Sequence, residues 1–129
     1  YKLSSQDKIE IEFIANEVNL NNELNFLAGQ LSHGQKQWLE IGILLAQKPN
    51  LLLIDEPAAG MTAPERKKTV SLLKNISNNQ SVIVVEHDME FIKSLDCRVT
   101  VLHEGSVITE GSLDYVSKNE KVIDVYLGR

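Results

Sequence analysis

Residues 31–62 read LSHGQKQWLEIGILLAQKPNLLLIDEPAAGMT, and three chemically distinct parts follow one another in this stretch. A polar turn, Leu31-Ser32-His33-Gly34-Gln35, leads into an amphipathic segment. An apolar run, Leu51 to Ile54, ends in two adjacent carboxylates, Asp55 and Glu56. A loop containing Pro57 and Gly60 comes last. Ser32 with Gln35 three residues on has the spacing of a capping box, in which each side chain satisfies the other's backbone N–H, so a helix is expected just after Ser32. Trp38, Ile41, Leu44 and Leu45 recur at helical spacing and predict its buried stripe. Pro49 disfavours helical backbone before it, so the helix should end near Gln47. Gly34 puts no side chain over the helix start. Backbone N–H groups there, with the positive end of the helix dipole, suit an anion, most simply phosphate. On spacing alone the simpler reading, that Ser32 only caps a helix, is the more common one.

Leu51 to Ile54 shows no polar alternation, which predicts a strand buried on both faces, as in the parallel sheets of α/β proteins. Asp55 and Glu56 would then stand at its carboxyl end, where open α/β sheets bind their ligands. A carboxylate there can hold Mg²⁺ while its neighbour orients water toward a phosphoryl group. An isolated Asp-Glu pair is usually a solvated turn. Its position some twenty residues after a phosphate-type turn makes chance a poorer explanation.

These residues carry a resemblance. Leu31 to Gln35 resembles the LSGGQ signature of ATP-binding cassette (ABC) ATPases, with His33 in place of the first glycine. Leu51 to Glu56 resembles the Walker B strand with its catalytic glutamate. Ala59-Gly60-Met61-Thr62 stands where the family has its D-loop, with Thr62 replacing the usual aspartate. Val84-Val85-Glu86-His87-Asp88 resembles the switch-histidine segment. The four motifs have the family's order and spacing and extend over essentially the whole chain. The wording LSHGQKQWLEIG and EPAAGMT is most similar to the ATPase subunits of urea and branched-chain amino acid importers, with urea the better fit.

The resemblance implies an α/β fold: part of a P-loop NTPase domain, a mostly parallel sheet flanked by helices, plus a piece of the helical subdomain. Residues 1–48 would be the helical subdomain with the signature, and 49–129 the Walker B, D-loop, switch-histidine and C-terminal region. Two such domains would pair head to tail, each ATP lying between the P-loop of one and the signature of the other. Ser32 and the amides of Gly34 and Gln35 would contact the γ-phosphate of the partner subunit's ATP. Asp55 would hold Mg²⁺ through water, Glu56 would polarise the attacking water, and His87 would hold the γ-phosphate. Thr62 would take the D-loop position. The implied partners are a second ATPase subunit and membrane permease subunits, placing the protein peripherally on the cytoplasmic face of the plasma membrane.

Composition agrees and excludes little. A chain of 129 residues with 43% hydrophobic content can build one domain core. A net charge of −5 opposes non-specific nucleic-acid binding, which needs a basic footprint. The one cysteine, Cys97, allows no internal disulfide and is compatible with a reducing cytoplasm. No apolar run reaches membrane-spanning length and no signal peptide is visible.

Outward from the centre, residues 6–18 fit both a strand alternation (Ile9, Ile11, Phe13) and a helical stripe (Ile9, Phe13, Ile14, Val18). Helix is favoured because the alternation fails at Ile14. Residues 19–30 read as an Asn-rich connector. Thr62 with Glu65 is a second capping box, with Pro64 in the first turn, and its helix should turn Val70, Leu73 and Ile76 inward before stopping at Asn78-Asn79. Ser81 to Val85 is a second apolar strand. A histidine at its end can reach a phosphate, and the motif order favours that role for His87 over a structural one. His33 and His103 keep structural readings. Residues 98–102 and 106–109 predict a β-hairpin. Ser112 should cap a helix through Val116, and an amphipathic segment, Val122 to Leu127, should pack back onto the core.

The ABC ATPases need a Gly-rich phosphate loop, GxxxxGK followed by Ser or Thr. No such string occurs in these residues. With the start at Tyr1, the expectation is a processed or excised C-terminal half of a nucleotide-binding domain, inactive alone, with an apolar sheet surface prone to self-association. The alternatives are a soluble ABC ATPase of nucleic-acid or ribosome function, or a non-catalytic binding module without a P-loop. The joint presence of Asp55, Glu56 and His87 opposes the last.

Overall fold

The computed structural model describes residues 2–127, which fall into two units divided after His87. In the first, α1 (Ser5–Glu17) is followed by two 3-10 turns, Asn21–Glu23 and Ala28–Gln30, and by α2 (His33–Ala46). Then come β1 (Leu51–Asp55), α3 (Ala63–Ser77) and β2 (Ser81–Val85). Residues 6–17 are helical, as the failed alternation at Ile14 predicts, and Val18 is the cap of that helix. A capping box that the sequence reading passed over starts α1: Ser4 Oγ accepts from Asp7 N–H at 3.1 Å, and Asp7 Oδ2 accepts from Ser4 N–H at 2.8 Å.

The expected faces of α1 and α2 are met in part: Val18, Trp38 and Ile41 are buried as predicted. Ile9 and Phe13 are exposed while Ala15, Val18 and Leu20 are buried. In α2 the buried set is Gly34, Trp38, Ile41 and Gly42, and Leu44 is exposed. Gly42 explains the difference: a Cβ there would stand 3.4 Å from both Ile14 Cγ2 and Val18 Cγ2. The helices therefore meet through the side of α2 with the least side chain, and Leu44 is turned away. At the end of α2, Lys48 adopts a left-handed φ of 51° just before Pro49, which terminates the helix as the proline required.

β1 and β2 are parallel, Leu51 opposite Ser81 through Asp55 opposite Val85, with α3 as the crossover between them. The expectation of a strand buried on both faces is corrected here. Leu52 and Ile54 are buried, but Leu51, Leu53, Ile83 and Val85 form an open apolar face at 46–66% exposure. A run without polar alternation reports that both faces are apolar; whether a second layer covers the other face depends on chain beyond the run. α3 buries Thr69, Leu72, Leu73 and Ile76, with Val70 only half-buried.

The second unit contains α4 (Met89–Leu95), β3 (Val99–His103), β4 (Ser106–Gly111), α5 (Leu113–Val116) and α6 (Glu120–Val122). A π-helical turn follows at Ile123–Leu127. β3 and β4 form the expected antiparallel hairpin, with a bulge between Val101 and Leu102, closed by Glu104 and Gly105 at φ 46° and 74°. Positive φ at both central positions matches the twist of the strands. The reading of Val122 to Leu127 as a packing stripe holds for Val122, which is buried, while Val125 and Tyr126 are exposed; the Leu127 side chain lies outside what is described. No described helix is long and apolar enough to cross a membrane.

Candidate functional site

Parallel pairing places the carboxyl ends of β1 and β2 side by side, and each strand leads into ionisable residues: Asp55 closes β1 with Glu56 after it, and Glu86 and His87 follow β2. Glu56 N–H donates to the Val85 carbonyl at 2.9 Å, carrying the pairing one residue past β1. The side chains then meet, His87 Nδ1 lying 3.1 Å from Glu56 Oε1. Both are well exposed, 74% and 52%, so the contact adds little to stability and leaves both groups reachable by a ligand. Glu56 has φ +46°. A left-handed backbone costs a non-glycine residue about 1–2 kcal/mol, and strain of this kind concentrates at functional positions.

A residue not selected from the sequence holds this arrangement. Glu86 Oε1 accepts from Ala58 N–H at 3.0 Å, and its Oε2 accepts from His87 N–H at 3.1 Å. One carboxylate thus straps the loop after β1 to the loop after β2. The only sequence signal was its place immediately before His87 at the end of an apolar strand, which does not reveal a partner on another loop.

The second cluster is at the start of α2. Ser32 caps it as expected: its Oγ accepts from Gln35 N–H at 3.2 Å, and Gln35 Oε1 accepts from Ser32 N–H at 2.9 Å. Gln35 also donates from Nε2 to Glu23 Oε1 at 2.9 Å, anchoring the turn to the preceding connector. Thr62 caps α3 in the same manner, its N–H and hydroxyl donating to Glu65 Oε2 at 2.9 and 2.7 Å. His33 Nε2 donates to the Ala59 carbonyl at 3.0 Å, so the histidine in the turn ties it to the loop at residues 57–62. Below these turns, Trp38 Nε1 donates to Thr69 Oγ1 at 2.8 Å, joining α2 to α3 inside the core.

Gly34 is where expectation and structure part. The space above it is filled by Glu65: a Cβ at Gly34 would lie 2.6 Å from Glu65 Oε1 and 2.7 Å from its Cδ. Ser32 Oγ donates to that same Oε1 at 2.9 Å. The hydrogen bonds from the Thr62 backbone, then the Thr62 hydroxyl, then Ser32 hold the Glu65 carboxyl below the usual glutamate range.

Residues 3–59 match the family model described as ABC transporter. The high-affinity branched-chain amino acid transport ATP-binding protein BraF of Pseudomonas aeruginosa is 34% identical over 114 residues, 87% of this chain and 45% of BraF. Residues 3–59 are thus ABC transporter sequence, and most of the chain is similar to ATP-binding proteins of that family. A methionine import ATP-binding protein, MetN of Lactobacillus acidophilus, is also 34% identical, over 106 residues, 81% of this chain and 30% of MetN. The chain therefore spans less than half the length of these ABC relatives. A solved ATP-binding cassette of an ABC transporter, in its ADP conformation, superposes on all of this chain with a TM-score of 0.84 at 24% identity, covering 52% of that cassette. That likeness bears on the fold, which is the α/β architecture of an ABC ATPase. The family match includes Ser32, Gly34, Gln35, Asp55 and Glu56 but stops before Thr62 and His87. Among the described residues no group of three His, Cys, Asp or Glu side chains is placed to hold a metal ion.

Proposed function

We propose that this chain is the Walker B and signature portion of an ABC importer ATPase, with residues 1–48 belonging to its helical subdomain. The observation that carries the reading is the 3.1 Å contact between Glu56 and His87 at adjacent strand ends. It supports a shared role for the two side chains, Glu56 as proton acceptor and His87 as phosphate ligand, with Asp55 exposed beside them.

The chemistry follows from these groups. Glu56 takes the proton from a water that attacks the γ-phosphorus of ATP, and the bond to ADP breaks. The His87 imidazole bridges the two groups, Nδ1 against Glu56 and Nε2 toward a phosphate oxygen. Asp55, exposed at the end of β1, would hold Mg²⁺ through water, an oxygen donor of the kind that ion takes. Once bound, the ion would supply positive charge against the phosphate oxygens. Ser32 with the first-turn amides of α2 receives the γ-phosphate of a partner subunit's ATP in a head-to-tail dimer, and Thr62 sits at the interface loop.

The working partners are a second ATPase subunit and a membrane permease, with the protein held at the cytoplasmic face of the membrane through the permease. The solute is a small polar molecule of the urea or branched-chain amino acid type. Equal identity to branched-chain amino acid and methionine relatives leaves the choice to uptake measurements with each labelled solute. Glu56→Gln in the full protein removes the proton acceptor and should lower ATP turnover at least 100-fold while ATP binding persists, the usual scale of general-base loss. Turnover at the parent rate would refute the role of Glu56.

A further inference from the structure

The Glu65 carboxylate is bonded to the starts of two helices at once. As the third residue of α3 it closes the Thr62 capping box with Oε2. A capping box uses one carboxylate oxygen, and the other, Oε1, accepts from Ser32 Oγ at the start of α2. The first turn of α2 has no acidic residue of its own, so Glu65 supplies the negative charge that this helix end favours. Gly34 admits it, since any Cβ there would collide with the carboxylate.

This placement matters because Ser32 is the residue that would hold phosphate. A hydroxyl has one proton to donate, and here it goes to Glu65. A phosphate oxygen at the same turn would lose that donor and would also stand beside a like charge. We propose that Glu65 is an internal competitor for the Ser32 turn, a positioning residue that must release the Ser32 hydroxyl before a phosphate oxyanion can take it. The inference rests on the proposed role of Ser32 and adds a residue and a regulation to it. Because the same carboxylate holds Thr62, release at Ser32 is felt by the 57–62 loop, which His33 also grips through Ala59.

Glu65→Gln is the informative change. Glutamine serves equally as the third residue of a capping box, so the cap of α3 is kept while the charge is removed. The full protein, isotope-labelled, is titrated with inorganic phosphate while the backbone amide signals of Ser32 and Gln35 are followed by NMR. The expected result is phosphate binding at these amides at least 5-fold tighter in Glu65→Gln than in the parent. Equal affinity in the two proteins overturns the competitor role and leaves the phosphate role of the turn standing. No phosphate-dependent shift at either amide in both proteins overturns the phosphate role and the competitor role with it. A second measurement needs no substitution: the Glu65 side-chain carboxyl carbon of the parent should shift as phosphate is added, and a signal unmoved at saturation of the Ser32 amide also overturns the proposal.

Discussion

Gly34→Ala tests the packing at the start of α2 directly. In most helices this change stabilises, by up to about 1 kcal/mol, because alanine loses less backbone entropy than glycine. Here the new methyl carbon would stand 2.6 Å from Glu65 Oε1, 2.7 Å from Cδ and 3.1 Å from Cγ. Glu65 is a flexible side chain at the surface, so the collision is relieved by its swinging out. That movement breaks its bonds to Ser32 Oγ, Thr62 N and Thr62 Oγ1. Losing the cap half of this set costs about 1 kcal/mol, and the Ser32 bond, being exposed, about 0.5 kcal/mol more. The helix gain is reduced in a first turn, so Gly34→Ala should destabilise by about 1 kcal/mol. In a Glu65→Ala background there is nothing left to evict, and the same substitution should become stabilising by about 0.5 kcal/mol. The reversal of sign is the signature of direct contact. Urea unfolding of the parent, both single variants and the double variant gives all four values. An effect of Gly34→Ala that is the same in both backgrounds would refute the contact.

Three other outcomes follow from the same structure. Thr69→Val keeps the shape of a fully buried side chain but takes the acceptor from Trp38 Nε1–H, and should cost about 1–3 kcal/mol in urea unfolding; a loss below about 0.5 kcal/mol would mean that the indole N–H finds another partner. The Glu65 and Asp7 carboxyls are both held below their ordinary ranges, Glu65 by the Thr62 backbone first and Asp7 by the Ser4 side chain first. A folded-state value below the unfolded one gives stability that is fully present above about pH 4.3 for glutamate and is lost as the pH falls through the lowered value. The melting temperature should therefore drop on acidification below that range, less steeply in Glu65→Gln, and identical slopes would sink the assignment. The open face of Leu51, Leu53, Ile83 and Val85 should drive self-association of this 129-residue chain, reversed by Leu53→Lys together with Ile83→Lys; sedimentation of the unaltered chain as a monomer would contradict this.

What the sequence determined by itself was local. The caps at Ser32 and Thr62 depend on partners three residues away, Pro49 acts on its neighbour, and the apolar runs at 51–54 and 81–85 announce strands through their own composition. Motif order then placed Asp55, Glu56 and His87 at strand ends. Tertiary structure decided which face of each element is buried and which side chains meet. Ile9 and Phe13 share one predicted helical stripe with Val18, and only the close approach permitted by Gly42 decides that Val18, with Ala15, is buried while the first two are exposed. Glu65 reads as one half of a capping box because that is a spacing of three. Its second bond reaches a residue 33 positions away, as the Trp38 bond reaches 31 and the His33 bond 26. Spacing rules carry no information at such separations, since chain direction is set by packing between elements, and it is packing that brought a carboxylate to the turn where a phosphate was expected.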